Sequence, residues 1–110
     1  DNNQLDDASL ELNAILAKPA NDTLAELARQ RLARVLLAQE KAEQALQLLD
    51  VKVAPAFAAT REELRGDALV VLARPAEAKA AYEQAKQALS SEAAAGNLLM
   101  KLDNLSEKDA

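Results

Sequence analysis

The sequence predicts an all-α fold, a solenoid of antiparallel helical hairpins that ends in a capping helix. Three observations carry that expectation: composition, apolar spacing, and an internal repeat. Of 110 residues, 26 are Ala and 20 are Leu. Both are strong helix formers, and Ala loses no side-chain entropy in a helix. The β-branched residues are only Ile15, five Val, Thr23 and Thr60, too few for a sheet. With Phe57 and Tyr82 as the only aromatics, the core must come from small and medium aliphatics, which suits close helix–helix packing.

Apolar spacing near 3.6 residues defines six helices in order. The first is expected over residues 5–17, with Leu5, Ala8, Leu12, Ile15 and Leu16 on one face. Pro19 stops it, because the residue before a proline is pushed out of helical φ/ψ. The second starts at Thr23, where Thr23 and Glu26 have capping-box spacing, and runs through Leu27, Leu32, Val35 and Leu36 to about residue 38. After a short turn at 39–41, the third covers 42–50 with Ala45, Leu46, Leu48 and Leu49. Pro55 sits in the first turn of the fourth, where its missing N–H costs nothing, and that helix runs through Phe57, Leu64 and Leu69 to about residue 72. Pro75 opens the fifth, through Ala78, Tyr82 and Ala85 to Leu89. Ser90 or Ser91 is expected to cap the sixth, which ends near Leu105, with 106–110 frayed.

The repeat fixes the fold more narrowly. At an offset of 33, Ala33 pairs with Gly66, Leu36 with Leu69, Ala45 with Ala78, and Leu49 with Tyr82. The unit is helix, turn, helix, close to the tetratricopeptide length of about 34. That motif places a small residue on the first helix against a large one on the second, because antiparallel helices approach closely only when facing positions alternate in size. Gly66 within a helix costs about 1 kcal/mol relative to Ala, so it is expected to pack at close range against the fifth helix, near Ala78. The expected single domain spans 1–110: a partial unit at 1–20, units at 23–54 and 55–89, and a capping helix at 90–105. In the partial unit Ala8, Leu12 and Ile15 take the second-helix places, 37 residues before those of the next unit at Ala8. Its own first helix would precede Asp1, leaving Leu5, Leu12 and Leu16 exposed, so self-association through the first helix is expected, the alternative being a monomer in which that helix folds back on the second and third; the start at Asp1-Asn2-Asn3, without Met, suggests a processed chain or an excised piece.

Asp1-Asn2-Asn3-Gln4-Leu5-Asp6-Asp7-Ala8, Leu32-Ala33-Arg34-Val35, Leu64-Arg65-Gly66-Asp67-Ala68-Leu69 and Leu102-Asp103-Asn104-Leu105-Ser106, in that order and spacing, resemble the C-terminal part of the YfgM family. These are tetratricopeptide-like ancillary subunits of the bacterial SecYEG translocon. The resemblance implies a short cytoplasmic start, one membrane-spanning helix and a periplasmic repeat domain, of which this chain is the distal part. It also implies partners: the translocon, the parvulin-like chaperone PpiD and exported clients. It supplies no catalytic residue.

Charge and missing residue types exclude other classes. Net charge is −5, which opposes nucleic acid and anionic membrane surfaces. No run of about 18 apolar residues is present to span a bilayer. With neither Cys nor His, thiol nucleophiles, imidazole bases and ordinary zinc sites are excluded, and a Cys-free chain suits an oxidising compartment. Glu62, Glu63 and Asp67, with Arg61 and Arg65 between them, read as a solvated helix face rather than an acid/base pair or a Ca²⁺ site. No enzyme activity, cofactor or metal is expected.

In a tetratricopeptide solenoid the first helices line the concave face. Gln30 and Arg34 in one unit, and Glu63 and Asp67 in the next, take the places that hold a partner's terminal carboxylate in some such proteins. Acids there would repel a carboxylate, so another kind of segment is expected. Leu37 and Val70, one turn further on, and Met100 on the last helix are the apolar candidates, though core packing explains them as well. Phe57 and Tyr82 are read as core. The leading expectation is a periplasmic protein-interaction module; a cytoplasmic scaffold and an accessory domain of an enzyme are the alternatives.

Overall fold

The computed structural model describes residues 2–89 and 96–109. Among these are six α-helices and no strand: α1 (Asn2–Ala17), α2 (Asp22–Ala38), α3 (Ala42–Leu49), α4 (Ala58–Val71), α5 (Pro75–Ala88) and α6 (Gly96–Asp109). The tetratricopeptide-like, all-helical fold expected from the sequence is the one found. The chain forms two compact units, Asp1–Lys52 and Val53–Ala110.

In the first unit α2 packs on both α1 and α3. Its core is Ala28, Leu32, Ala33 and Leu36 from α2 with Ala42, Ala45 and Leu49 from α3. In the second unit α4 packs on α5, and α5 on α6. Leu64, Ala68 and Leu69 meet Ala78, Ala81, Tyr82 and Ala85, while Leu98 and Leu105, two turns apart, anchor α6.

The 33-residue register appears in burial and in backbone geometry alike. Ala33 and Gly66, Leu36 and Leu69, Ala45 and Ala78, and Leu49 and Tyr82 are each buried as pairs. The turns match as well. Glu40 (φ 63°) and Ala73 (φ 58°), 33 apart, are the two non-glycine residues with positive φ among the described residues. Each closes its first helix with the same crossed bonds: Glu40 N–H to Leu37 C=O (3.1 Å) and Lys41 N–H to Leu36 C=O (2.8 Å), then Ala73 N–H to Val70 C=O (3.0 Å) and Arg74 N–H to Leu69 C=O (2.9 Å). This is the Schellman motif, which favours Gly at the left-handed position. A side chain there costs about 1 kcal/mol. Ala73→Gly is therefore expected to stabilise the chain by about 0.5–1 kcal/mol, read as a rise in the thermal midpoint.

Several boundaries differ from the sequence expectation. Asn21, not Thr23, caps α2: its Oδ1 accepts from Leu24 N–H at 2.8 Å, and Thr23 already lies within the helix. Glu26 turns instead to Arg29 and Gln30, at 3.0 Å each. Pro55–Phe57 forms a 3-10 turn ahead of α4, which leaves Phe57 half-buried rather than in the core. The sixth helix continues to Asp109 instead of fraying after Leu105, since Ser106 to Asp109 contains no helix breaker. Leu5, Leu12 and Leu16 are half-covered rather than open, since α2 packs on α1. The expected cap at Ser90 or Ser91 lies outside the described residues.

Candidate functional site

Gly66 explains why α4 and α5 can lie so close. A Cβ built at Gly66 would stand 2.3 Å from Tyr82 Cε1 and 2.5 Å from its Cδ1. The partner helix is the expected one, and the nearest atoms on it are those of the Tyr82 ring, one turn beyond Ala78. The ring is buried in the second unit, and the absent side chain at Gly66 makes its seat.

That ring carries its hydroxyl to the polar candidates. Tyr82 Oη donates to Asp67 Oδ1 at 2.6 Å. Lys101 of α6 reaches the same carboxylate, with Nζ 2.9 Å from Oδ1 and 3.2 Å from Oδ2, and donates to Glu63 Oε2 at 2.6 Å. Its ammonium also lies 5.6 Å from the centre of the Tyr82 ring, within range of a cation–π attraction. Glu63 and Asp67 thus form a half-exposed ion cluster that ties α6 to α4 and α5, rather than a solvated face. Glu62 pairs with Arg65 at 2.8 Å along the same helix. Arg61, expected at the solvated face, is buried whole, 1% exposed.

The cluster shifts two groups. Burial, then the bond to Asp67, raises the Tyr82 phenol far above its ordinary value of 10.0. Burial opposes the charge on Lys101, but its bonds to Glu63 and Asp67 outweigh this and raise it above 10.5. Both groups keep their protons to higher pH when folded than when unfolded. Their stabilisation is complete below the ordinary values and is lost as pH rises through the folded ones. The thermal midpoint is expected to change little from neutral pH to about 9 and to fall above about pH 10, with a shallower fall in Tyr82→Phe.

The other candidates are distributed as follows. On α2, Gln30 is buried, and its Nε2 donates to Glu26 Oε2; Arg34 is exposed and Leu37 half-buried. On α4, Val70 is half-buried, one turn beyond Asp67. Met100, next to Lys101 on α6, is 68% exposed, and Leu99 beside it is 44% exposed. The structure therefore joins Glu63 and Asp67 to α6 and presents Met100 outward within the second unit. Gln30, Arg34 and Leu37 line one side of α2 within the first. Among the described residues, no group of three or more His, Cys, Asp or Glu is placed to hold a metal ion. Nor is any helix long and apolar enough to cross a membrane.

Comparison with known proteins fits this geometry. The model of a tetratricopeptide repeat-like domain matches residues 1–107. The chain belongs to that family. Two relatives are each named ancillary SecYEG translocon subunit. The one from Escherichia coli (strain K12) is 32% identical over 106 residues, covering 96% of this chain and 52% of its own. The one from Neisseria gonorrhoeae (strain ATCC 700825 / FA 1090) is 35% identical over 106 residues, covering 96% of this chain and 51% of its own. The repeat domain thus spans about half the length of the curated relatives it matches. No solved structure matches it.

Sequence reasoning missed Lys101 and the Tyr82 hydroxyl. A tyrosine rather than phenylalanine at a buried repeat position was the available signal, since a buried hydroxyl needs a partner. Nothing local marks Lys101, which lies 34 and 38 residues from the acids it joins.

Proposed function

We propose that this chain is a non-catalytic protein-interaction domain of an ancillary SecYEG translocon subunit, working on the periplasmic side of the bacterial inner membrane. One observation carries the reading: 96% of the chain aligns with translocon subunits from two bacteria, within a fold whose usual work is to hold other proteins. The partners are the translocon itself, a parvulin-like periplasmic chaperone of the PpiD kind, and extended clients emerging from the channel. On this reading Arg34 and Leu37 of α2 supply one contact, beside Gln30. Glu63, Asp67 and Val70 of α4, with Met100 of α6, supply the other. Because Lys101 engages both acids, the apolar Met100 and Leu99 lead the second contact.

Crosslinking from a photoreactive residue at Arg34 or Met100 in bacterial envelope extract tests this. Adducts with a translocon subunit or a periplasmic chaperone are expected. Adducts with cytosolic proteins alone would overturn it.

A further inference from the structure

The leucines of α6 do not by themselves decide how it packs. At about 100° per residue, Leu98, Leu102, Leu99 and Met100 spread over about 200° of the helix, so the apolar residues define no single inward face. Of the described side chains of α6, Leu98 and Leu105 are buried, Leu102 is half-covered, and Leu99 and Met100 are exposed. A slide of one turn would keep leucines in two of the three apolar seats. Moved by three residues, about 4.5 Å along the axis, Leu99 takes the seat of Leu102 and Leu102 that of Leu105. Gly96, where a Cβ would meet nothing within 4 Å, sets no register at the start of the helix. The ion cluster is what such a slide breaks. Leu98 would then stand in place of Lys101, against Glu63 and Asp67, which both accept from its ammonium.

We infer that Lys101 fixes the register of α6, and through it the choice of Leu99 and Met100 as the outward pair. One polar contact in an apolar seam selects one alignment, because the other alignments leave its charges unpaired. Glu63 and Asp67 stand one turn apart on α4, so an ammonium that bridges both is held along the helix axis as well as across it. The contact is also seated on the closest packing of the unit. Asp67 is held by the Tyr82 hydroxyl at 2.6 Å, and the Tyr82 ring lies against Gly66. Lys101 is thus a positioning residue of the second unit. Its role does not depend on the translocon reading; only the use of Leu99 and Met100 as a contact rests on that.

The distance between two nitroxide labels tests the inference. The chain has no Cys, so Lys86→Cys on α5 and Asn104→Cys on α6, both exposed, supply the two labelling sites. Pulsed electron–electron resonance should give one narrow distance. Adding Lys101→Met should broaden it or add a second distance displaced by up to about 5 Å, while circular dichroism shows unchanged helix content. Lys101→Arg should keep the single narrow distance, since a guanidinium can still bridge both carboxylates. A Lys101→Met chain with one narrow distance at the parent value would overturn the inference. So would a Lys101→Arg chain as broad as Lys101→Met, because charge would then not set the register. Loss of helix in Lys101→Met would overturn it as well, since Lys101 would then hold α6 in place rather than choose its alignment.

Discussion

Gly66→Leu is expected to cost about 3 kcal/mol, lowering the thermal midpoint by on the order of 10 °C. The first added carbon already falls 2.3–2.8 Å from three atoms of the Tyr82 ring, closer than any van der Waals contact permits. The ring cannot swing aside freely, since it is 2% exposed and its hydroxyl is bonded to Asp67. Gly66→Ala should also destabilise, by about 1–2 kcal/mol, although Ala is the better helix former by about 1 kcal/mol. Gly96 is the control: a Cβ there meets nothing within 4 Å, so Gly96→Ala should be neutral or slightly stabilising. Thermal denaturation that ranks Gly66→Ala with Gly96→Ala would show that the α4–α5 approach is looser than described.

Leu49→Ala should cost about 2–5 kcal/mol, because Leu49 is 1% exposed in the core shared by α2 and α3 and its removal leaves a cavity. Its counterpart, Tyr82→Ala, should cost about 3–5 kcal/mol. The second loss includes the bond to Asp67, but the Lys101 ammonium remains to hold that carboxylate. Chemical denaturation of the two variants gives both numbers. A cost under about 1 kcal/mol at Leu49 would mean that the first unit is not built on the same size alternation as the second.

These two sites show what the sequence made legible. Small against large at a spacing of 33 follows from local pattern alone, because each helix face must match the next. Hence the six helices, the paired burial of Ala33 with Gly66 and Leu49 with Tyr82, and the helix against which Gly66 packs could all be read in advance. Details that depend on competition between neighbouring groups could not. Asn21 and Thr23 are both good caps, and the choice of Asn21 rests on backbone extended at φ −162° just after the Pro19 break. Phe57 has an aromatic's tendency to be buried, yet the 3-10 turn at Pro55 sets it at the edge of the unit. The ion cluster was hidden for a different reason. Glu63 and Asp67 sit at helical spacing with basic neighbours, as a solvated face does; only the docking of α6 through Leu98 and Leu105 brings Lys101 to them. Arg61, an arginine among acids, likewise gives no local sign that it is buried whole.

The central claim is that both units obey one packing rule, small on the first helix and large on the second. A double-mutant cycle tests it most directly, by giving the second unit the residues of the first: Gly66→Ala to copy Ala33, and Tyr82→Leu to copy Leu49. Each single change should destabilise, Gly66→Ala by collision with the ring and Tyr82→Leu by the space and lost hydroxyl bond it leaves. Together they should cost less than the sum of the two by more than about 1 kcal/mol, because the new methyl then faces a leucine, the pair of residues that the first unit buries at the same register. Strictly additive losses would contradict the account, since they would mean that residues 66 and 82 do not share one packing site.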